Sequence, residues 1–308
     1  MSIDNPPQPL ARNSVLLGVG WMIVSTLMFV AVTGIVRHMG SSLPAAEAAF
    51  IRYAFGCVIL MPSFWRLFKT PPSADLMKAF TARGLAHAFG VILWFYAMAR
   101  IPIAEVTAIG YVTPIFITLG AALFLGEKLR LRRIMGVLAG LLGAIVILRP
   151  GFNEISIGQI AQLGTAPMFA ISYLLTKSLT NRTDAPTIVA MLTLFCTLFL
   201  FPMAIWDWQT PSQNDLFWLF ITALCATFGH FAMTRALAAA PISVTQPVTF
   251  LQLVWASILG ILVFDEAVDP FVILGGTIIV SAATFISHRE AQLNRKLRTV
   301  PASATKLH

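Results

Sequence analysis

The sequence has little charge: only 11% of its 308 residues are Asp, Glu, Lys or Arg, against about 25% in a typical soluble domain. Apolar residues make up 57% of the chain, and its mean hydropathy is +0.81. A soluble fold could not bury this much apolar surface, so we expect a chain that crosses a membrane several times. The composition excludes soluble enzymes, nucleic-acid-binding proteins and secreted scaffolds.

Cysteine and catalytic motifs are also scarce. Cys57, Cys196 and Cys225 lie singly within apolar runs, with no CxxC spacing, so neither a disulfide framework nor a zinc site is predicted. The sequence has no HExxH motif, no glycine-rich phosphate loop and no pair of central aspartates. We therefore predict that the protein is not an enzyme and holds no cofactor or metal.

Apolar runs long enough to cross a bilayer, about 20 residues each, recur along the chain. Short connectors separate them, and the first run is too long to be the core of a signal peptide. We predict ten membrane spans, preceded by a tail at 1–14 and followed by a basic tail at 288–308, with both tails disordered. The spans cover residues 15–36, 45–65, 80–99, 103–125, 133–149, 157–178, 187–206, 215–237, 242–264 and 270–287.

The distribution of lysine and arginine predicts the orientation. With the N-terminus in the cytoplasm, 17 of the 21 basic residues fall on the cytoplasmic side, Arg83 among them. Three lie outside, namely Arg37, Arg100 and Arg149, and Arg52 lies within a span. Because cytoplasmic loops carry the excess of positive charge, both termini are predicted to be cytoplasmic.

The second half of the chain repeats the first at a constant offset. Pro102 and Pro241 each open a span, and Glu127 and Glu266 follow their respective prolines at the same spacing. Agreement at several such pairs indicates that the second half of the chain is a copy of the first.

Each copy contains five spans, the first at residues 15–149 and the second at 150–287. Because five is odd, the two copies must have opposite orientations in the membrane. The predicted fold is thus an all-α polytopic membrane protein with ten transmembrane helices arranged as two inverted five-helix repeats. Such repeats are typical of secondary transporters, which bind their substrates near the midplane where the halves meet.

These residues resemble the drug/metabolite transporter superfamily, in particular its ten-helix EamA-type branch. The second half departs from the family pattern at Asp265, where glycine is usual. The resemblance implies export of metabolites or drugs across a bacterial inner membrane, as in the exporters of amino acids, aromatic ones included. It is carried by Arg52, Pro102, Leu125-Gly126-Glu127, Pro241, Phe264-Asp265-Glu266 and Gly275-Gly276.

Ionisable side chains inside spans are candidates for substrate binding because their burial in lipid is costly. Arg52 could bind a substrate carboxylate, or it could be a structural arginine that donates to backbone carbonyls. His87 and Trp94 share one helix face with Val91 between them, and could bind an aromatic or cationic substrate by stacking. His87 could instead bond to a neighbouring helix, and the same alternatives apply to His230.

Polar residues in spans four and nine form a second group. Proline inside a span permits a bend, and polar side chains at helical spacing beside it suit a water-lined pocket. Ordinary hydrogen bonds between helices would explain them equally well. The spans carry Thr107, Tyr111 and Pro114, and Thr245, Thr249 and Gln252. The candidate substrate-binding residues are Arg52, His87, Trp94, Tyr111, His230, Thr249 and Gln252.

Glycines and loop carboxylates have other predicted roles. Gly136, Gly140 and Gly143 favour close helix packing or a dimer contact. Glu127 and Glu266, at helix ends, are either loop anchors and gate elements or simply solvated loop residues.

The sequence thus predicts a secondary transporter that works by alternating access. Its expected substrates are small metabolites, most of all amino acids including aromatic ones, and also cationic drugs. A channel-like pore and an intramembrane lipid-modifying enzyme are the alternatives. No central carboxylate is present to carry protons, so we expect either facilitated diffusion or proton coupling through His87. The expected partners are the lipid bilayer and a small-molecule substrate, with no nucleic acid and a monomeric state.

Overall fold

The computed structural model describes residues 12–113, 115–117, 131–149, 154–240, 242–267 and 269–299. This part of the chain consists of helices and short connectors and has no β-strand, as predicted for an all-α protein. Several helices begin at a serine or aspartate whose side chain accepts a hydrogen bond from the first turn. The helices are α1 (Arg12–Met39), α2 (Ala45–Ile59), α3 (Met61–Lys69), α4 (Ala74–Met98), α5 (Ile103–Gly110), α6 (Leu131–Leu148), α7 (Ile157–Leu179), α8 (Ala185–Trp206), α9 (Gln213–Ala239), α10 (Ile242–Thr249), α11 (Leu251–Phe264) and α12 (Pro270–Thr299).

Each predicted span overlaps with one or two of these helices, and residues 118–125 of the fourth span lie outside the described part of the chain. Within the described residues, α1, α4, α8 and α9 are long and apolar enough to cross a membrane individually. The second span is divided into α2 and α3, which are bent by 66° relative to each other. Shorter apolar helices make up other spans, among them α11 and the apolar first part of α12.

The most extensive helix contacts join the two halves of the chain. In these contacts α1 packs against α9, and α4 packs against α7. The first span of each half thus packs against the third span of the other half. The remaining extensive contacts pair α2 with α8 and α6 with α12, which are the corresponding helices of the two halves. This pattern is that of an approximate twofold axis between the halves.

The fourth and ninth spans are broken at corresponding positions. Helix α5 ends at Gly110, so that Tyr111 lies at the break, and the chain turns at Phe250 between α10 and α11. Tyr111 and Phe250 are separated by the repeat offset, the same as that between Pro102 and Pro241. Their rings meet edge to face with centroids 5.1 Å apart. Pro114, predicted to bend the fourth span, lies outside the described residues.

Helices α6 and α12 approach closely at glycines. A Cβ atom on Gly143 would lie 2.7 Å from the carbonyl oxygen of Gly275, and one on Gly275 would lie 2.5 Å from the carbonyl oxygen of Gly143. The two backbones therefore touch where these helices cross. Gly143 is therefore a packing residue, because a larger side chain would prevent this close approach.

Two interactions join several helices at one end of the bundle. Glu266 accepts a hydrogen bond of 3.0 Å from Nε of Arg37, at the end of α1. Its other oxygen accepts one of 2.9 Å from the backbone N–H of Ile103, the first residue of α5. At the same end Arg149, which follows α6, pairs with Asp269 before α12. We call this the Glu266 end.

A related contact occurs at both ends of the bundle. Arg37 also donates to the carbonyl oxygen of Ala99 over 3.4 Å, and Lys177 donates to that of Leu237 over 2.8 Å. Arg37 and Lys177 are separated by nearly the repeat offset, and each lies in the last turns of the first helix of its half. Of these two basic residues, only Arg37 has a carboxylate partner among the described residues. Within that part of the chain, the basic residue at the Glu266 end thus forms an ion pair, whereas Lys177 at the other end bonds to a backbone carbonyl.

Short helix α3 carries large exposed apolar side chains beside basic ones. Trp65 is 68% exposed and Phe68 is 85% exposed. Arg66 and Lys69 lie in the same helix, and the ammonium group of Lys69 is 5.5 Å from the ring centroid of Trp65. This composition is typical of amphipathic helices that lie in the interface between lipid and water.

The C-terminal tail differs from the prediction. Residues 288–308 were expected to be disordered, but α12 continues as far as Thr299. Most residues at 288–299 are good helix formers, among them three arginines and two leucines, so the helix extends beyond its apolar part. Glu127 and the basic residues Lys128 and Arg130 lie outside the described residues.

Candidate functional site

A cavity of about 230 Å³ lies between the two halves of the bundle. Helices from both halves contribute to its wall, including α1, α2 and α4 from the first and α7 and α9 from the second. The structure brings all seven candidate residues to this one cavity. These are Arg52, His87, Trp94, Tyr111, His230, Thr249 and Gln252.

Aromatic rings form one side of the cavity. The ring of His87 lies 5.0 Å from that of Phe169 and 5.1 Å from that of His230, and Trp94 lies 6.0 Å from Phe169. Phe29 contacts the cluster from α1, at 5.0 Å from His230 and 6.4 Å from Trp94. The edge-to-face and tilted geometry is typical of favourable aromatic contacts.

Phe29 and Phe169 are residues that the sequence prediction missed. Their separation is close to the repeat offset, so they occupy corresponding positions in the two halves. Comparison of the halves at this offset would have found the pair. Because phenylalanine is frequent in this chain, with 23 copies, single phenylalanines gave no signal.

Arg52 lies on the cavity wall with its guanidinium carbon 3.4 Å from the ring centroid of Tyr53. The side chain is only 4% exposed, and its Nε has no hydrogen-bond acceptor among the described residues. At this atom, the described residues therefore offer no backbone carbonyl, and both predicted roles of Arg52 stay predictions.

The position of Arg83 differs from the prediction, which counted this residue with the cytoplasmic loops. It lies within α4, lines the cavity and is only 1% exposed. The error arose because Arg83 lies near the start of the predicted span at 80–99, where an arginine usually extends into water, whereas the helix already begins at Ala74. Arg83 precedes His87 by four residues, and this spacing on one helix face was the signal that could have identified it.

Hydrogen bonds fix several polar groups of the wall. Nδ1 of His87 lies 3.0 Å from Oγ of Ser172, so the histidine does bond to a neighbouring helix while its ring faces the cavity. The amide of Gln162 donates to the carbonyl oxygen of Val106 over 2.9 Å. The hydroxyl of Thr107 donates to the carbonyl oxygen four residues before it, which is an ordinary contact within its own helix.

Tyr111 joins the two broken spans through its hydroxyl. The oxygen accepts a hydrogen bond of 2.8 Å from the backbone N–H of Leu253. The hydroxyl hydrogen is directed at the carbonyl oxygens of Thr249 and Phe250, at 3.2 Å and 3.1 Å. Phe250, at the corresponding position of the repeat, has no hydroxyl and cannot make these contacts in return. The tyrosine thus satisfies backbone groups that the break leaves outside the helical pattern.

Replacing Tyr111 with phenylalanine is expected to destabilise the protein. The change leaves a backbone N–H and a carbonyl near the break without this partner, at a cost of about 1–3 kcal/mol. The thermal unfolding midpoint of the detergent-purified protein should fall by about 3–8 °C. Tyr96→Phe is the matched control, because the ring of Tyr96 stacks on Arg100 and its hydroxyl has no hydrogen bond among the described residues. Equal midpoints for the two variants would contradict the role given to Tyr111.

The lining as a whole suits a small molecule with a planar ring. Aromatic side chains can stack on such a ring, and the basic and amide groups can bind its polar substituents. Among the described residues that line the cavity there is no aspartate or glutamate. The described chain also has no group of His, Cys, Asp or Glu placed to hold a metal ion.

Comparison with known proteins gives relatives over almost the whole chain. A riboflavin transporter of Vibrio cholerae is 29% identical, over 94% of this chain and 99% of its own length. An S-adenosylmethionine uptake transporter of Rickettsia felis is 25% identical (93% and 98%), and the pseudopaline exporter CntI of Pseudomonas aeruginosa is 26% identical (90% and 97%). A solved crystal structure with 15% identity covers 91% of this chain and 98% of its own, at a TM-score of 0.58, which shows a shared fold.

The model of the EamA-like transporter family matches the chain twice, at residues 16–149 and 156–288. The two matches confirm the predicted class, a membrane protein built from two inverted five-helix repeats. They also confirm the resemblance to the drug/metabolite transporter superfamily, but the relatives do not support the narrower prediction of an aromatic amino-acid exporter. The chain belongs to the EamA-like transporter family, and it is a membrane transporter of small molecules and not an enzyme.

Proposed function

We propose that this protein is a secondary transporter that exports small metabolites with an aromatic ring, amino acids among them, by alternating access. The observation that carries the proposal is the central cavity, whose wall combines aromatic rings from both halves. A site between inverted repeats can face either side of the membrane as the halves rock about it. The moving units are the proposed repeats at 15–149 and 150–287.

The seven candidate residues have distinct proposed roles in this cavity. Trp94 and the two histidines, His87 and His230, bind the substrate ring by stacking and edge contacts. Gln252 and Arg52 bind its polar groups. Tyr111 and the backbone of Thr249 support the wall at the break of the ninth span.

The size of the cavity suits a substrate such as an aromatic amino acid in the described state. An engineered cavity of about 150 Å³ in another protein binds benzene, and the present cavity measures about 230 Å³. The additional space accommodates a short polar group beside one ring. Riboflavin and S-adenosylmethionine, which are named for two relatives, also carry planar rings but are larger, so both belong in the test panel.

The charge distribution supports an orientation with both termini in the cytoplasm of a bacterial cell and the protein in the inner membrane. Without Arg83, which is buried, 16 basic residues remain on the cytoplasmic side against three outside. The Glu266 end then faces outward. Its ion pairs hold helices of both halves together, as expected for a state that receives its substrate from the cytoplasm.

Transport by purified full-length protein in proteoliposomes tests the proposal. The panel contains phenylalanine, tryptophan, threonine, methionine, riboflavin, S-adenosylmethionine and an organic dication, each with and without a pH gradient. We expect saturable transport of a ring-containing member. Independence of the pH gradient would identify facilitated diffusion, and dependence would identify proton coupling, with His87 as the first residue to replace.

Replacing Trp94 with alanine should reduce transport of that substrate about tenfold, because a ring contact worth roughly 1.4 kcal/mol is removed. Trp206→Ala is the control, since Trp206 is 91% exposed at the end of α8 and should retain transport within about twofold. A panel without any transported member, or equal transport by the two variants, would contradict the proposal.

A further inference from the structure

Four basic side chains meet in the cavity. They are Arg52 from α2, Arg83 and His87 from α4, and His230 from α9. The rings of His87 and His230 lie 5.1 Å apart, and Arg83 precedes His87 by four residues on the same face of α4. The four groups therefore form one cluster on the cavity wall. No carboxylate stands among the described residues of the lining. Within that part of the chain, the cluster thus has no counter-ion.

The two guanidinium groups are also incompletely hydrogen-bonded. Arg83 donates through Nη1 to the carbonyl oxygen of Ile188 over 2.8 Å. Its Nε and Nη2, and Nε of Arg52, are buried and have no acceptor in the described part of the chain. Burial of a charge without a partner costs several kcal/mol. Unsatisfied buried donors of this kind call for an explanation such as a functional role or a bound ion, and a ligand in the cavity would supply acceptors to this pair of arginines.

We infer that Arg52 and Arg83 together bind an oxyanion of the substrate, and that a carboxylate is the group selected. A guanidinium presents its N–H donors in a planar fork that matches a carboxylate. The aromatic side of the cavity, at Trp94 and Phe169, then holds the ring of the same molecule. This inference rests on the proposed function, because it assigns the charged part of the same site.

The same charges exclude one class of expected substrate. Two permanent positive charges in a confined, weakly screened cavity repel a cation, and no carboxylate of the described lining offsets them. A ring-containing acid should therefore bind, a neutral analogue should bind weakly, and an organic cation should not bind. Cationic drugs, which the sequence analysis included, are disfavoured on this basis.

Three probes of similar size and different charge test the inference. Benzoate, benzamide and benzylammonium are titrated into the full-length protein in nanodiscs, and binding is measured by thermal shift and by saturation-transfer NMR. We expect benzoate to bind at least about tenfold more tightly than benzamide, because its bonds to the arginines are charge-assisted. Benzylammonium should show no saturable binding.

Two variants assign the preference to the arginines. Arg83→Met and Arg52→Met should each bind benzoate no better than benzamide, while Arg235→Met, which changes an exposed arginine of α9, should bind like the parent. If the parent does not prefer benzoate, or if both arginine variants keep the preference, the inference is wrong. The probes on the parent decide this even if a variant does not fold.

The two proposals can fail separately. Transport that depends on Trp94, without any benzoate preference, would leave the proposed function intact and remove the anion site. A benzoate preference that depends on the arginines, with no transported member in the panel, would support an anion site and contradict the proposed function.

Discussion

Replacing Glu266 with alanine is expected to open the cavity toward the Glu266 end. In the described state this carboxylate bonds at once to Arg37 on α1 and to the first N–H of α5, Ile103. The carboxylate is only 11% exposed, so water replaces its contacts poorly. Hydrogen bonds to a charged group are worth about 1.5–3 kcal/mol, which corresponds to a population change of about tenfold or more.

Cysteine labelling measures this change. Thr165 lines the cavity and is buried, so Thr165→Cys in a background without native cysteines reports access to the site. A membrane-impermeant maleimide is applied separately to each face of the membrane. With Glu266→Ala, labelling from the face of the Glu266 end should rise about tenfold, because the carboxylate no longer joins α1 to α5 there.

Glu266→Gln provides a graded comparison. Glutamine keeps an oxygen that can accept from the N–H of Ile103 but removes the charge that pairs with Arg37, so its effect should lie between those of the parent and Glu266→Ala. Arg37→Ala should resemble the glutamine variant. Unchanged labelling in all three variants would show that these contacts do not hold this end closed.

Replacing Gly143 with alanine should lower the unfolding midpoint by about 3–8 °C, because overpacking costs about 1–3 kcal/mol. The added methyl group would lie 2.7 Å from the carbonyl oxygen of Gly275 and 2.6 Å from Cγ1 of Ile279. A side chain could rotate away, but the backbone oxygen moves only with its helix. Helices α6 and α12 must therefore separate where they cross.

Gly20→Ala is the control, and its expected effect on stability has the opposite sign. Gly20 lies within α1, and a Cβ atom there would meet nothing within 4 Å in the described part of the chain. Since alanine is favoured over glycine in a helix by about 1 kcal/mol, this variant should be as stable as the parent or slightly more so. Thermal unfolding followed by size-exclusion chromatography measures both variants. A Gly143 variant as stable as the Gly20 variant would contradict the packing role.

Much of the architecture was accessible from the sequence because the membrane imposes strong constraints. Apolar length predicted the spans, and an odd number of spans in each copy required the copies to be inverted. The broken ninth span could not be located to the residue, since the turn at Phe250 depends on contacts with Tyr111. Tertiary contacts of this kind leave no periodic pattern in one sequence.

The candidate site was partly predictable for a related reason. Arg52 and His87 were found because an ionisable group within an apolar run is conspicuous. Arg83 was missed because it lies near the end of such a run, where an arginine usually extends into water. Only the helix that begins at Ala74 places it inside the bundle. Residues near the end of an apolar run can therefore line the cavity without being recognised from the hydropathy profile.

The bend between α2 and α3 has a consequence for the bilayer itself. Helix α2 has 15 residues and is thus about 22 Å long, whereas the hydrocarbon layer is about 30 Å thick. Because α3 turns away by 66° and has the composition of an interfacial helix, we expect the lipid beside α2 to be thinner so that it matches this helix. Such thinning brings the headgroups and their water closer to Arg52, and lowers the cost of a charge at this depth. Transport should accordingly be faster in bilayers of short-chain lipids than in thick ones.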